Sequence, residues 1–161
     1  EFLMIEIDRD IINNSKYIIQ FYKEKDKKIT NLELQKLAYF LEAIYMVCED
    51  ALYLYNEDFS AWNFGPVNLV IYNKYKKFGN LPIDLEENIE INPINKKYIE
   101  NLYNLFKDFN ATQLVNLSHS KGSPWYEIYS ENDGKIPRNE IIDKSSTKKW
   151  FSNLVVKTDE K

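Results

Sequence analysis

The residues that could do chemistry in this sequence begin with Ser118-His119-Ser120, which places a potential base beside two hydroxyl groups. Nucleophilic catalysis needs a hydroxyl within hydrogen-bond reach of the base, and a third group that orients the base. Neighbouring residues on a helix point in different directions, and no third group can be named from the sequence. A structural role for His119, in which its ring ties a helix end to the turn at 122–124, is therefore favoured over catalysis.

Other patterns of catalytic or ligand-binding residues are absent from the sequence. One histidine and one cysteine cannot supply a zinc site of these residue types, and no phosphate-binding motif occurs among the four glycines. Adjacent carboxylates such as Glu86 and Glu87 are typical of a solvated surface. We therefore expect no catalytic residue, no metal and no cofactor, and we interpret the chain as a binding protein rather than an enzyme.

The strongest structural signal is the start of a helix at Thr30. Thr30 and Glu33 have the spacing of a capping box, and Ile29 and Leu34 stand where a hydrophobic staple would close. Apolar residues then recur at three- and four-residue steps on two stripes, as far as Cys48. The pattern predicts a central helix with neighbours on two sides, and Cys48 as a small buried side chain.

An aromatic segment and a second helix follow. The segment from Phe59 to Phe64 is short and lacks the spacing of apolar residues that is typical of a helix, so it predicts a strand or an extended connector. Pro66 suits the first position of a helix, because its missing N–H needs no partner there. Gly79 suits the position just after that helix.

The remaining signals predict helices with few alternatives. Capping residues precede apolar runs at four places, which are Asp8, Asn95, Asn110 with Gln113, and Ser123 before Pro124. A last helix is predicted to begin near Ser145 or Ser146. With 161 residues, 44% of them hydrophobic, the chain has the length of one domain. We predict a mainly α, compact bundle of six to seven helices, with a minor β element near 59–64 and 89–91. The domain is expected over 4–156, with a vector-derived remnant at 1–3 and a flexible tail at 157–161.

Charge and cysteine content limit the classes of function. The formal net charge of −4 disfavours a dedicated nucleic-acid binder, since phosphate contacts need a basic surface. A single cysteine excludes an internal disulfide, and no stretch reaches the roughly twenty apolar residues of a membrane span. These features predict a cytoplasmic protein that does not enter a membrane.

Aromatic residues are the main candidates for binding. Twelve Tyr, nine Phe and three Trp exceed the need of a small helical core, and Tyr and Trp often anchor partner surfaces. The candidate partner-binding residues are Tyr53, Tyr55, Trp62, Phe64, Tyr72, His119 and Trp125. For Trp62 and Trp125 a core position that locks the neighbouring turns is favoured, and for the segment from Tyr53 to Tyr55 exposure is favoured.

Two blocks of the sequence resemble one known family. The first holds Leu34-Gln35-Lys36-Leu37, Ala61-Trp62, Phe64-Gly65-Pro66-Val67 and Phe78-Gly79, and the second is the run from Leu117 to Trp125. Their order is similar to the Panacea antitoxin domain, the SocA-like domain that also occurs in GepA-type phage-associated proteins. The signature residues are Thr30, Glu33, Gln35, Lys36, Gly65, Pro66, Gly79, Ser123 and Pro124.

The resemblance implies a bacterial antitoxin of a toxin–antitoxin system, which neutralises a cognate protein toxin by forming a complex. The toxin would be encoded by an adjacent gene. One alternative is an adaptor that delivers the toxin to a AAA+ protease, and another is a regulator carried by a phage or mobile element. A small hydrolase that uses His119 is a further alternative, and the oligomeric state stays open.

Overall fold

The computed structural model describes residues 4–85 and 87–159, and these form seven α-helices and one small antiparallel sheet. This confirms the prediction of a mainly α bundle with a minor β element. The helices are α1 Ile11–Glu24, α2 Asn31–Glu49, α3 Leu69–Tyr75, α4 Pro93–Phe106, α5 Ala111–Ser118, α6 Pro124–Glu131 and α7 Lys144–Asp159. The strands are β1 Ser60–Trp62, β2 Gly65–Val67 and β3 Glu140–Ile141, and a 3₁₀ turn at Lys76–Phe78 extends α3.

Helix α2 is the centre of the fold, as its two apolar stripes predict. It packs against α1, α3, α4, α5, α7 and β2, and every residue from Leu34 to Met46 is buried. The capping box that opens it is present, with Thr30 Oγ1 accepting from the Glu33 N–H at 3.2 Å. Between Leu34 and Met46 three buried residues are polar, namely Gln35, Lys36 and Glu42, and each needs a partner inside the protein.

The partners of Glu42 explain why one exposure prediction is wrong. Its carboxylate accepts from the N–H groups of Leu54 and Tyr55 at 3.1 and 2.9 Å, and from Lys144 Nζ at 2.6 Å. These bonds hold Leu54 and Tyr55 against α2 and α7. Tyr55 is therefore fully buried, and its hydroxyl donates to the Ala38 carbonyl at 2.8 Å. Tyr53 stays exposed as predicted, with the Arg9 guanidinium 5.0 Å from the centre of its ring.

Two helix caps differ from those predicted. Asp10, not Asp8, caps α1, and Asn92, not Asn95, caps α4. Asp8 and Asn95 join the two helices instead, because Asp8 N donates to Asn95 Oδ1 and Asn95 Nδ2 donates to Asp8 O, both at 2.8 Å. The caps at Asn110 and Ser123 are confirmed.

Three further points concern Cys48, the loop before α4 and the chain ends. Cys48 is exposed rather than buried, because α2 leaves the core after Met46. Residues 89–91 form no strand; Ile89 and Ile91 pack against the core without a neighbouring strand. Residues 1–3 and the last two residues of the expected tail at 157–161 lie outside the described part of the chain, and α7 extends to Asp159. No described helix is both long and apolar enough to cross a bilayer.

Candidate partner-binding site at the β-hairpin

Strands β1 and β2 form a tight hairpin whose turn presents Phe64. They pair antiparallel with Trp62 opposite Gly65, which leaves Asn63 and Phe64 as a two-residue loop. Gly65 takes a φ of +102°, a left-handed value that favours glycine over residues with a side chain. Strand β3 pairs with the other edge of β1, with Ser60 opposite Ile141, so β1 is the central strand.

Pro66 lies in strand β2, so the prediction that it opens a helix is wrong. Ile142 N donates to Phe59 O at 2.8 Å, so the N–H and C=O groups of Phe59 point toward β3. Because these groups point the same way at every second residue of a strand, those of Ala61 also point toward β3. Pro66 is paired with Ala61 and therefore faces away from β1, where its missing N–H costs no ladder bond. Asn68 caps α3 instead, with its side chain accepting from Ile71 N at 3.0 Å.

Two buried polar residues of α2 hold the backbone of the hairpin. Lys36 Nζ donates to the Pro66 carbonyl at 2.9 Å. The Gln35 amide bonds both backbone groups of Asn68, accepting from its N–H at 2.8 Å and donating to its carbonyl at 3.3 Å. The signature pair Gln35-Lys36 is therefore a device that fixes where β2 ends and α3 begins.

Gly65 is also required by the closeness of its neighbours. A Cβ at this position would lie 2.6 Å from Ser118 Oγ and 2.7 Å from Lys36 Cε. Side chains of α2 and α5 thus enclose Gly65 so closely that any side chain at this position would displace the Ser118 hydroxyl or the buried Lys36 side chain.

The turn between α5 and α6 supports the hairpin from the other side. Ser123 Oγ donates to the Ser118 carbonyl at 2.9 Å and accepts from Tyr126 N at 3.1 Å, which joins the two helices. The His119 ring stacks on Trp125 at a centroid distance of 3.6 Å, and Trp125 Nε1 donates to the Trp62 carbonyl at 2.7 Å. His119 thereby holds the end of α5 against the start of α6, which is the structural role that the sequence favours.

The hydroxyl groups beside His119 are not arranged for catalysis. Ser118 Oγ donates to the Val115 carbonyl and Ser120 Oγ to the Leu117 carbonyl, both at 2.8 Å. Both hydroxyls thus bond the carbonyl three residues earlier in the chain, and neither donates to the imidazole. Neither of these two serines is therefore paired with His119 as a nucleophile is paired with its base.

The electrostatics beneath the hairpin are those of a buried, positively ionisable site. Lys36 is completely buried, and burial lowers its pKa to about 7. Burial and then the neighbouring Lys36 lower the pKa of His119 to about 4. His119 Nε2 is buried and has no hydrogen-bond partner within the described residues. Burial therefore shifts both groups toward their neutral forms, His119 above about pH 4 and Lys36 above about pH 7.

Five of the seven candidate residues come together at the hairpin. Trp62 and Tyr72 make an edge-to-face contact at 5.0 Å, and Trp62 Nε1 donates to Asn139 Oδ1 at 3.1 Å. Phe64 is 67% exposed, whereas Trp125 is buried as predicted and Trp62 is half-buried. Tyr53 and Tyr55 belong to the separate segment that Arg9 and Glu42 hold.

Sequence reasoning missed Asn68 and two exposed apolar residues beside the hairpin, Leu69 and Val70. A signal for Asn68 exists, since an asparagine three residues before a buried Ile71 is typical of a helix cap. Leu69 and Val70 carry no such signal, because their exposure depends on which face of α3 packs inward.

An open groove of about 720 Å³ lies elsewhere, between α6, β3 and α7. Both signs of charge line it, for example Glu127 and Lys149, and Ile128 and Trp150 supply apolar surface. None of the seven candidate residues lines this groove, so we place the candidate site at the hairpin.

Comparison with known proteins gives a family match that includes the signature residues around the hairpin. A family model described as "Antitoxin SocA-like, Panacea domain" matches residues 34–126, a range that begins on α2 and ends on α6. The chain is 34% identical over 113 residues to Antitoxin SocA of Caulobacter vibrioides (strain NA1000 / CB15N), a stretch covering 62% of this chain and 60% of that protein. The chain thus matches less than two thirds of this relative's length. No solved structure matches the chain. Because the family model covers more than half of it, this chain belongs to the family of SocA-like antitoxins with a Panacea domain.

Proposed function

We propose that this chain is an antitoxin that neutralises a protein toxin by binding it directly, and that the hairpin tip is part of the contact. The observation that carries the proposal is the exposure of Phe64 on a two-residue turn. A side chain at this position is accessible to a partner, and large aromatic residues are common among the side chains that dominate binding energy.

The rigidity of the hairpin adds to the proposal. Lys36, Gln35 and the close approach of Ser118 fix the strand that follows Phe64. A contact residue that is already held in place loses little conformational freedom when a partner binds. Inhibition then needs only a patch of roughly 800 Å² on each partner, and no catalytic group.

The proposal includes three further parts: the toxin is encoded by an adjacent gene, both proteins act in the cytoplasm, and residues 4–156 form the binding domain. The alternative function is an adaptor that delivers the toxin to a AAA+ protease, and it too begins with complex formation.

The proposal is tested by expressing the adjacent reading frame alone and together with this chain. We expect growth arrest from the neighbour alone, recovery on coexpression, and copurification of the two proteins as a stable complex. Recovery without a complex would contradict direct binding, and a harmless neighbour that forms no complex would contradict the antitoxin role at this locus.

The variant Phe64→Ala is expected to weaken the complex by about ten- to a hundredfold, because truncation of an aromatic anchor commonly costs ~1–3 kcal/mol of binding energy. Its thermal unfolding should match that of the parent protein, since the side chain is mostly exposed. Calorimetric titration with the product of the adjacent gene measures the affinity of the parent protein and of the variant.

The matched control for this variant is Leu105→Ala, which removes a similarly exposed apolar side chain on α4. The control should bind within about twofold of the parent protein. Equal affinity for both variants would exclude Phe64 from the interface.

A further inference from the structure

The segment from Phe59 to Ile83 differs in charge from the rest of the chain. It contains no Asp or Glu and three lysines, Lys74, Lys76 and Lys77, in a protein whose formal net charge is −4. Acidic residues flank it at Asp58 and Asp84. The hairpin and α3 therefore form a positive region on an otherwise acidic molecule.

The same segment is rich in exposed apolar side chains. Four of the eleven large exposed apolar residues in the described part of the chain lie in it: Phe64, Leu69, Val70 and Leu81. Val70, Lys74 and Lys77 follow one another at steps of four and three residues, so they share one side of α3 and its 3₁₀ extension. Tyr72, three residues after Leu69, contacts Trp62, and this contact joins the neighbouring Leu69 flank of α3 to the hairpin. We call Phe64, Leu69, Val70, Lys74 and Lys77 the α3 face.

The lysines of this face are available to a partner. The two ion pairs within residues 4–85 and 87–159 are Lys144–Glu42 and Lys148–Asp50, and neither involves the α3 face. Lys74 and Lys77 lie over aromatic rings, with Nζ 5.9 Å from the Tyr75 ring centre and 5.4 Å from that of Phe78. These contacts hold the ammonium groups near the surface without neutralising them.

We propose that the α3 face binds a folded protein surface that is acidic around an apolar pocket, with Phe64 entering the pocket and the lysines facing carboxylates. This inference rests on the proposed function and specifies the chemistry of the toxin surface that is covered. Opposite charge around an apolar centre is the usual arrangement of a protein interface. Leu69 and Val70 favour a protein over a nucleic acid, because exposed aliphatic side chains have no role in phosphate binding and three lysines give only a sparse positive surface.

The test is the double variant Lys74→Glu with Lys77→Glu, titrated with the neighbour's product at salt concentrations from about 50 mM to about 500 mM. We expect the parent protein to bind more weakly as salt rises. The double variant should bind about tenfold or more weakly at low salt, and its binding should strengthen as salt rises, because salt screens the repulsion between its glutamates and the partner's carboxylates. Neutral replacement, Lys74→Gln with Lys77→Gln, should give an intermediate loss and guards against misfolding of the first variant.

The matched control reverses two exposed lysines of α4, Lys96→Glu with Lys97→Glu, and should bind within about twofold of the parent protein at every salt concentration. Unchanged binding by the α3-face variants, or an equal loss in the control, would overturn the assignment of the surface while leaving the antitoxin role intact. Absence of any complex with the parent protein would instead contradict the proposed function itself. Binding of duplex DNA by the parent protein that is lost only in the α3-face variants, with toxin binding retained, would reassign the face to nucleic acid.

Discussion

Gly65→Ala is expected to lower the free energy of unfolding by about 2–4 kcal/mol and to abolish most partner binding. Two costs combine at this position. An alanine must adopt the φ of +102°, and its Cβ meets Ser118 Oγ at 2.6 Å and Lys36 Cε at 2.7 Å. Relief requires the Ser118 hydroxyl, the buried Lys36 side chain or the hairpin to shift, and a shift of Lys36 or of the hairpin disturbs the backbone that carries Phe64. Urea unfolding and calorimetric titration with the toxin measure the two effects.

Gly122→Ala is the control that separates strain from collision. Gly122 has a similar φ of +93°, yet a Cβ there would meet nothing within 4 Å. Its cost should be that of strain alone, about 1 kcal/mol. The collision at Gly65 would be disproved by equal losses in the two variants. If Ser118 Oγ is the obstacle, adding Ser118→Ala to Gly65→Ala should recover part of the lost stability.

Lys36→Met is expected to make the protein more stable at pH 7 and to weaken partner binding. Burial lowers the pKa of Lys36 from 10.5 to about 7, so the unfolded chain holds a proton that the folded chain releases between these values. The free energy of unfolding of the parent protein should therefore rise with pH, by up to about 1.4 kcal/mol per pH unit. At pH 7 and below, the parent protein carries the whole penalty, whose upper limit is about 5 kcal/mol.

The methionine variant lacks this penalty but leaves the Pro66 carbonyl unpaired, which costs about 1–3 kcal/mol. A net gain of the order of 2 kcal/mol is expected at pH 7, and the gain should vanish or reverse near pH 9.5. The usable range ends near pH 10, because buried tyrosines such as Tyr75, whose pKa is raised to about 12, then lower the stability of both proteins.

Urea unfolding of both proteins at several pH values from 7 to 9.5 checks this prediction. Lys28→Met, at an exposed position, serves as the control for replacing a lysine by methionine. Parallel curves for the parent protein and Lys36→Met would show that Lys36 ionises normally inside the fold. Toxin binding should fall in Lys36→Met even where stability rises, because the hairpin has lost its bond to α2.

The helices could be predicted because their signals are local. Thr30 with Glu33, Asn110 with Gln113, and Ser123 before Pro124 each lie within one turn of the helix that they open. Such caps act through bonds across three residues, which a sequence displays directly.

The errors arose where distant residues decide the structure. Pro66 looks like a helix start until Lys36, thirty residues earlier, accounts for its carbonyl. Tyr55 looks exposed until Glu42 and Lys144 fix its backbone from two other helices. These partners cannot be identified from neighbouring residues in the sequence. A helical pattern shows that a residue is polar, but it does not show which distant group that residue bonds.

The candidate site could be predicted in part for the same reason. Aromatic content indicates which residues can anchor a partner, and five of them do meet at one place. Which of these is exposed depends on packing: Phe64 reaches solvent because the turn carries it outward, while Trp125 is enclosed between His119 and Tyr129. Gln35 and Lys36 belong to the signature, but their role emerges only from the bonds to Pro66 and Asn68.

Those bonds have a consequence for how binding specificity can change. The side chains of Gln35 and Lys36 hydrogen-bond to main-chain atoms of Pro66 and Asn68, so these bonds do not depend on which side chains the hairpin tip carries. The hairpin is therefore a fixed mount, and its exposed tip residues 63 and 64 can be exchanged without repacking the core. Under the proposed function, such an exchange would alter the contact with the toxin while the mount keeps its shape.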